Sequence, residues 1–194
     1  LAQAQQANAA LEAEFALYGT LNEVASGRYG AKVNLQRFVL SVLLDDVLVQ
    51  ASSRLRVMSQ GRYELLRKDE RSKGNRASGL ELQVEDGYTG KTRDVATLSG
   101  GESFLAALAL ALGLSDVVQA YAGGVRLDTL FIDEGFGSLD SESLDLAMAT
   151  LMDLQASGRM IGLISHVSEL KAQMPVRIEI VPSLSGSHIC VNGV

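Results

Sequence analysis

The sequence has few of the residues that build disulfide or zinc-stabilised domains. It contains no tryptophan, one cysteine, two prolines and two histidines among 194 residues. The lone thiol of Cys190 excludes an internal disulfide, which is usual in a reducing cytoplasm, where we expect the chain to act. His166 and His188 leave too few ligands for a structural zinc site. A hydrophobic content of 47% instead supplies one domain with a sizeable core.

Long hydrophobic runs are absent as well. The longest, residues 104–114, is too short to span a bilayer, and the N-terminus has no signal-peptide pattern. We therefore expect no membrane partner. The chain begins at Leu1 without a methionine and continues directly into helix-forming residues. This start indicates either an artificial boundary or the second part of a longer protein.

The net charge of −6 is distributed unevenly. One segment carries eight basic and three acidic residues, so it has a charge of +5 and the remainder has −11. The segment could form a solvated loop and helix face, or it could face nucleic-acid phosphates. The sequence leaves both interpretations open. The basic residues are Arg54, Arg56, Arg62, Arg67, Lys68, Arg71, Lys73 and Arg76.

The first 60 residues predict two long helices. Within residues 1–27, apolar side chains recur at helical spacing, and the polar start is typical of the end of a coiled coil. Gly27 and Gly30 should end this helix. Asn34 is then suited to cap a second helix over residues 35–58. The recurring side chains are Leu11, Phe15, Tyr18 and Leu21.

The remainder alternates between strand and helix patterns. "RYELLR" and "LELQVE" are short strand candidates, and an apolar helix follows "TLSGGES". Then come the strand "VRLDTLFID", a helix over 142–155, the strand "RMIGLIS", a short helix over 169–173, and the strands "VRIEIV" and "SHICV". This alternation predicts an α/β fold with a buried, mainly parallel sheet. We assign residues 1–27 to a coiled-coil end and 28–194 to the globular domain.

Two adjacent carboxylates, Asp133 and Glu134, end the strand "LDTLFID". In open α/β sheets, ligands bind at this end of the strands. The arrangement predicts a Walker B site, in which Asp133 holds Mg²⁺ partly through water and Glu134 acts as the general base. Taken alone, the pair could equally be two acidic residues at a strand exit. The neighbouring motifs favour the functional interpretation.

Three further motifs accompany this pair. Ser99, Gly100, Gly101 and Glu102 precede a long helix, whose N-terminus favours an anion, although an ordinary capped helix start is the alternative. "GFGSLD", which contains Ser138 and Asp140, follows Glu134 directly. His166 emerges from the next strand, so we expect it at the same edge of the sheet.

The stretch "DGYTGKT" ends like a phosphate-binding P-loop but does not fit one. A P-loop requires glycine five residues before its second glycine, and Glu85 occupies that position. The stretch also lacks the strand-to-helix context. We therefore predict a turn here, and we find neither a P-loop nor a glutamine loop in the sequence.

In this order and spacing, the four motifs resemble the C-terminal half of an ATP-binding-cassette ATPase head. They correspond to its signature motif, Walker B motif, D-loop and H-loop. The segments "SQGRYEL", "LSGGESFLAALALALGLSDVV" and "LDTLFIDEGFGSLD" resemble the bacterial SbcC family of SMC-like ATPases, which belong to a DNA-repair nuclease. The resemblance extends from about residue 34 to the C-terminus.

In that family, two heads enclose two ATP molecules, and this arrangement implies roles for the residues. Asp133 and Glu134 would serve the ATP and Mg²⁺ of their own head, and His166 would bind the γ-phosphate. The signature residues would contact the ATP of the opposite head, while two D-loop residues would contact the second head directly. The signature residues are Ser99, Gly100, Gly101 and Glu102, and those of the D-loop are Ser138 and Asp140.

The resemblance also implies partners. They are an N-terminal P-loop half of the same protein, a second head, an SbcD-like nuclease subunit at the base of the coiled coil, and DNA. The chain alone would then bind ATP weakly or not at all. Strand 129–133 would lack the neighbours that the other half supplies, which would leave unpaired edges or apolar surface. The alternatives are another SMC-like or RecN-like chromosome protein, or a coiled-coil interaction module without enzymatic activity.

Overall fold

Five α-helices and seven β-strands make up the part of the chain that the computed structural model describes, residues 2–29, 33–68, 80–123, 126–184 and 186–193. The helices are α1 (Ala2–Ala25), α2 (Leu35–Met58), α3 (Gly100–Tyr121), α4 (Ser141–Ala156) and α5 (Ser168–Gln173). The strands are β1 (Tyr63–Arg67), β2 (Leu82–Asp86), β3 (Lys91–Asp94), β4 (Thr129–Asp133), β5 (Met160–Ile164), β6 (Arg177–Ser183) and β7 (Gly186–Asn192).

The junction between α1 and α2 follows the predicted signals. Gly27 has a φ of +72°, and a Cβ there would lie 2.8 Å from the backbone nitrogen of Asn34, so both the turn and the close approach require glycine. Asn34 caps α2, because its Oδ1 accepts from the Arg37 N–H at 2.8 Å. Both boundaries are confirmed, whereas Gly30 lies outside the described residues. The apolar stripe of α1 is exposed, and its place in a coiled coil stays a prediction.

The main core lies where α2 crosses α3. Leu48, Ala51 and Leu55 of α2 are buried, as are the α3 residues Leu105, Ala109 and Leu112. The backbones approach so closely that a Cβ on Gly113 would lie 2.8 Å from the Val47 oxygen and the Ala51 nitrogen. Burial of these side chains is the main source of stability for this part of the fold.

Helix α3 meets the length and composition of a membrane span: it has 22 residues with a mean hydropathy of 1.7 over its most apolar window. It is the only such helix among the described residues. Its buried residues Leu105, Ala109 and Leu112 belong to the same cluster as those of α2. Core packing therefore accounts for its apolar composition.

The "DGYTGKT" stretch is a hairpin turn followed by a strand. Residues 87–90 form the turn, Gly90 has a φ of +64°, and Asp86 of β2 pairs with Lys91 of β3. The predicted turn is confirmed, and the strand-to-helix geometry of a P-loop is not present there. Strand β3 itself is not predicted, because its sequence "KTRD" is polar and only four residues long. Antiparallel pairing with β2, and not an apolar pattern, forms it.

Helix α2 covers the free edge of the antiparallel sheet, whose strand order is β1-β2-β3. The Ser52 hydroxyl accepts from the Leu65 N–H at 3.0 Å and donates to the Leu65 carbonyl at 3.1 Å. Ser59 accepts from the Tyr63 N–H at 3.0 Å. Ser52 of α2 and Ser59 at its C-terminus thus satisfy the backbone groups of β1 that face away from β2. Because these groups are occupied, no further strand can pair with this edge of β1.

Strands β4 and β5 form the parallel part of the fold, in register from Thr129↔Met160 to Asp133↔Ile164. The predicted α/β fold with a parallel sheet is confirmed. Parallel pairing is limited to these two strands among those described, because β1-β2-β3 and β6-β7 pair antiparallel. The strands are also less buried than predicted: Phe131, Met160 and Ile164 are 55–69% exposed. This uncovered surface agrees with the expectation that strand 129–133 leaves apolar surface exposed.

The β6–β7 hairpin presents a second uncovered apolar surface. Ile178 pairs with Val191 and Ile180 pairs with Ile189, so the four side chains share one face of the hairpin. Each is 57–72% exposed. An apolar face of this kind is typical of a surface that another segment covers.

Candidate functional site

A strained turn carries Glu134 out of the parallel sheet. Strand β4 ends at Asp133, after which Glu134 has a φ of +62° and Gly135 a φ of +101°. The Glu134 N–H donates to the Ile164 carbonyl at 2.9 Å, which ties the turn to the end of β5. A non-glycine residue in the left-handed region costs about 1–3 kcal/mol, and such residues are concentrated at functional sites. The backbone strain singles out Glu134 within this loop.

His166 contacts Glu134 directly. The His166 Nδ1 lies 2.9 Å from Glu134 Oε2 and 3.2 Å from Oε1. The contact follows from the register, because Glu134 comes after β4 and His166 comes two residues after the end of β5. The side chain of Glu134 is 55% exposed and that of His166 is 76% exposed, so a ligand can reach both. The prediction that His166 lies at the same sheet edge as the acidic pair is confirmed.

Asp133 is the last residue of β4 and is exposed. No group of three or more histidine, cysteine, aspartate or glutamate side chains that could hold a metal occurs within the described residues. Mg²⁺ prefers oxygen ligands and keeps several waters, so one protein carboxylate together with phosphate and water oxygens suits it. The single carboxylate of Asp133 is compatible with such an ion, and its role as the Mg²⁺ ligand stays a prediction.

The loop after Glu134 packs inward and then starts α4. Residues Phe136–Ser138 form a 3₁₀ turn, Phe136 is buried, and the Ser138 hydroxyl donates to the Gly135 carbonyl at 2.8 Å. Asp140 caps α4, accepting from the Ser143 N–H at 2.8 Å and from its hydroxyl at 3.0 Å. These bonds, the backbone one foremost, lower the pKa of Asp140. Asp140 therefore has a structural role within the chain in addition to any contact with a second head.

The signature glycines lie directly on this loop. A Cβ on Gly101 would lie 2.7 Å from the Ser138 carbonyl oxygen, and one on Gly100 would lie 3.8 Å from the Ser138 Cβ. Close backbone contact therefore requires glycine at position 101. The structure thus joins the predicted signature segment to the loop that begins at Glu134.

Ser99 and Glu102 form a reciprocal capping box at the start of α3. Ser99 Oγ accepts from the Glu102 N–H at 3.3 Å, and Glu102 Oε2 accepts from the Ser99 N–H at 2.9 Å. The pattern S-x-x-E encodes this arrangement locally. The capped-start interpretation of the sequence is therefore confirmed for these two side chains, and their role as phosphate contacts stays a prediction.

Glu102 also contacts Tyr63 of β1, Arg93 of β3 and Arg62, which immediately precedes β1; the sequence pattern does not reveal these contacts. The Tyr63 hydroxyl donates to Glu102 Oε1, Arg62 Nη1 lies 3.5 Å from the same oxygen, and Arg93 Nη2 lies 3.7 Å from Oε2. Burial opposes ionisation of Glu102, but the bonds from Tyr63 and Ser99 outweigh it and lower its pKa. Burial, followed by the bond to Glu102, raises the pKa of Tyr63 to about 12. Tyr63 therefore remains a protonated donor, which holds the start of α3 against the sheet.

The basic segment is ion-paired where the structure describes it. Arg54 and Arg56 pair with Asp116 and Glu64, and Arg62 lies 3.2 Å from Asp86. Arg67 lies 2.7 Å from Asp45, and Lys68 lies 3.5 Å from Glu81. Arg71, Lys73 and Arg76 lie outside the described residues. The described part of the segment therefore favours an ion-paired surface over a free patch for nucleic acid.

Comparison with known proteins places these motifs in one family. Residues 75–153 match the family model described as SbcC/RAD50-like, Walker B motif. The chain is 68% identical to the SbcC subunit of the SbcCD nuclease of Vibrio cholerae over 189 residues, which are 97% of this chain and 19% of that protein. It is 49% identical to the same subunit of Staphylococcus epidermidis over 168 residues, which are 87% of this chain and 16% of that protein. The chain thus spans about a fifth of the length of the curated relatives it matches.

Solved structures show the same fold at low sequence identity. One, from work on ATP-driven dimerization and DNA-stimulated activation of SMC ATPases, has a TM-score of 0.59 at 17% identity, covering 80% of this chain and 88% of that chain. The Smc head domain of Pyrococcus furiosus with an extended coiled coil has a TM-score of 0.63 at 17% identity, covering 96% of this chain and 43% of that chain. These likenesses show that the fold is that of an SMC-type ATPase head. Because the chain matches the C-terminal portion of the Vibrio relative at 68% identity and also matches the family model, it belongs to the SbcC/RAD50-like family.

Proposed function

We propose that this chain supplies the signature, Walker B, D-loop and H-loop half of an ATP-hydrolysing head. The observation that carries the proposal is the 2.9 Å contact between His166 and Glu134 at the end of the parallel strands. The signature glycine Gly101 packs on the loop that follows Glu134. The loop that follows Glu134 thus links the base and its partner to a helix N-terminus that favours an anion.

In hydrolysis, Glu134 acts as the general base. Its carboxylate accepts the proton of the attacking water while the water oxygen bonds to the γ-phosphorus and the bond to the β–γ bridging oxygen breaks, giving ADP and phosphate. His166 orients this carboxylate through Nδ1, and Gly137 leaves space beside Nε2, where a Cβ would lie 3.7 Å away. We assign Nε2 to the γ-phosphate. Asp133 would hold Mg²⁺, which neutralises phosphate charge when bound.

The start of α3 serves the ATP of an opposite head in this proposal. The capping box uses the N–H groups of Ser99 and Glu102. We assign the N–H groups of Gly100 and Gly101, also in the first turn, to the γ-phosphate of that ATP. Ser138 and Asp140 lie on the adjoining loop, where we place contacts between the two heads.

The complete protein needs more than this chain. We infer that an N-terminal half supplies the P-loop, that two heads pair around ATP, and that an SbcD-like nuclease subunit and DNA are the further partners in the cytoplasm. Two observations support this: the relatives are named as a subunit of the SbcCD nuclease, and the chain spans about a fifth of their length. The uncovered faces of β4–β5 and β6–β7 also suit a second lobe.

Glu134→Gln in the full-length protein tests the proposal. The amide keeps the shape of the side chain but cannot accept the proton, so steady-state phosphate release should fall by about 10²–10⁴-fold while ATP binding persists. Glu169→Gln, an exposed carboxylate on α5, is the matched control and should hydrolyse ATP at the wild-type rate. Unchanged turnover in Glu134→Gln would assign the base to another residue.

A further inference from the structure

The ring of Phe104, in α3, lies against the turn that carries Glu134. A Cβ built on Gly135 would lie 2.1 Å from Phe104 Cε2 and 2.2 Å from Cδ2. The same ring packs edge-on against Phe136, with centroids 4.9 Å apart and planes at 66°. Phe136 is fully buried and Phe104 is partly buried on the main core. The aromatic pair therefore fills the space beside the backbone immediately after Glu134.

This turn needs external support. Glu134 and Gly135 both have positive φ, and a strained backbone of this kind persists only where its surroundings over-determine it. The bond from the Glu134 N–H to Ile164 holds the turn on the side of β5. The Phe104 ring holds it on the side of α3, since glycine at 135 lets the ring approach the backbone itself. Removal of the ring would therefore remove this second contact and leave a gap beside Gly135.

We propose that Phe104 is a positioning residue for Glu134. By packing on Gly135 and Phe136, it keeps the turn in the conformation that directs the Glu134 carboxylate towards His166. This inference rests on the proposed function, in which Glu134 is the general base. Helix α3 begins at the signature segment, which serves the ATP of the opposite head in the proposed function. The same helix carries Phe104, so it links that ATP to the base Glu134.

A double-mutant cycle in the full-length protein tests the direct contact. Phe104→Ala should lower kcat for ATP hydrolysis by about 10–100-fold, the range for a catalytic group displaced by roughly 1 Å, and leave KM unchanged. Gly135→Ala should lower kcat through both its positive φ and its clash with the ring. The Phe104→Ala variant has no ring to clash with a Cβ at position 135, so Gly135→Ala should lower kcat by a smaller factor in that variant than in the wild type. If the double variant loses kcat by the product of the two single-variant factors, the inference is overturned.

Two further variants separate positioning from general stability. Phe104→Leu keeps an apolar side chain against Phe136 and should fold even if the alanine variant does not, with a smaller loss of kcat. Leu110→Ala removes a comparable, partly buried side chain from the same helix, away from the turn. It should lower Tm but not kcat, and an equal loss of kcat in Leu110→Ala would refute a specific role for Phe104.

Parallel assays of the wild type and Glu134→Gln distinguish a failure of this inference from a failure of the proposed function. If the wild type hydrolyses ATP, Glu134→Gln does not, and both Phe104 variants have wild-type kcat, this inference alone fails. If Glu134→Gln retains full activity, the proposed function fails, and the inference fails with it.

Discussion

Ser52→Ala should destabilise the fold by about 2–4 kcal/mol, far more than a serine-to-alanine change in a helix usually does. The Ser52 side chain is buried, and its hydroxyl accepts from the Leu65 N–H at 3.0 Å and donates to the Leu65 carbonyl at 3.1 Å. Alanine leaves both groups without this partner in a buried position. Each unsatisfied group costs about 1–3 kcal/mol, whereas the higher helix propensity of alanine returns only about 0.5 kcal/mol.

Ser53→Ala is the matched control, because Ser53 is the next residue of the same helix and is exposed. Urea unfolding followed by far-ultraviolet circular dichroism should show a lower midpoint for Ser52→Ala and a change within about 0.5 kcal/mol for Ser53→Ala. Amide exchange at Leu65 should accelerate in Ser52→Ala alone. Equal stability of the two variants would refute the claim that Ser52 seals the edge of β1.

Two further predictions concern the start of α3. Ser99→Arg should abolish ATP-dependent pairing of heads in light scattering, whereas Ser99→Ala, which also loses the helix cap, should retain it. Pairing by the arginine variant would refute a contact between the start of α3 and the ATP of the opposite head. Glu102→Gln tests the lowered pKa of Glu102. A carboxyl group with a lowered pKa stabilises the folded state at a pH above its ordinary pKa of 4.5. This stabilisation is lost as the pH falls towards the pKa of the folded state. The stability difference between wild type and Glu102→Gln should therefore be constant from pH 7 to about pH 5 and shrink below it; urea titrations that show no such narrowing would contradict the ionic role.

Local signals predict the helix boundaries of this chain well. Asn34 caps α2 and Ser99 caps α3, each through a side chain that bonds to a backbone group three residues ahead. Such interactions depend on neighbours in the sequence, so a pattern of residues can reveal them. The position of His166 beside Glu134 is predictable for a similar reason, because it follows from the ends of two adjacent parallel strands.

Features that depend on distant residues escape the sequence pattern. Strand β3 forms only because β2 lies beside it, and the carboxylate of Glu102 meets Tyr63 and Arg62 across about 40 positions of the chain. The apolar composition of β4 and β5 predicts burial, yet Phe131 is 69% exposed. The apolar composition of these strands indicates that they require a covering layer on both faces. The described residues do not cover the face that carries Phe131.

The open β4–β5 ribbon ties catalysis to assembly. Among the described strands, β4 pairs with β5 only. One face of the pair packs on the core through Leu130 and Ile132, whereas Phe131 on the other face is 69% exposed. Asp133 ends β4 and Glu134 follows it, so the placement of both carboxylates depends on this two-stranded sheet as well as on the Phe104 contact. In the proposed function, a head without its other lobe would therefore hold its base less firmly and hydrolyse ATP slowly. Completion of the sheet would act as a checkpoint that permits turnover only in a correctly assembled molecule.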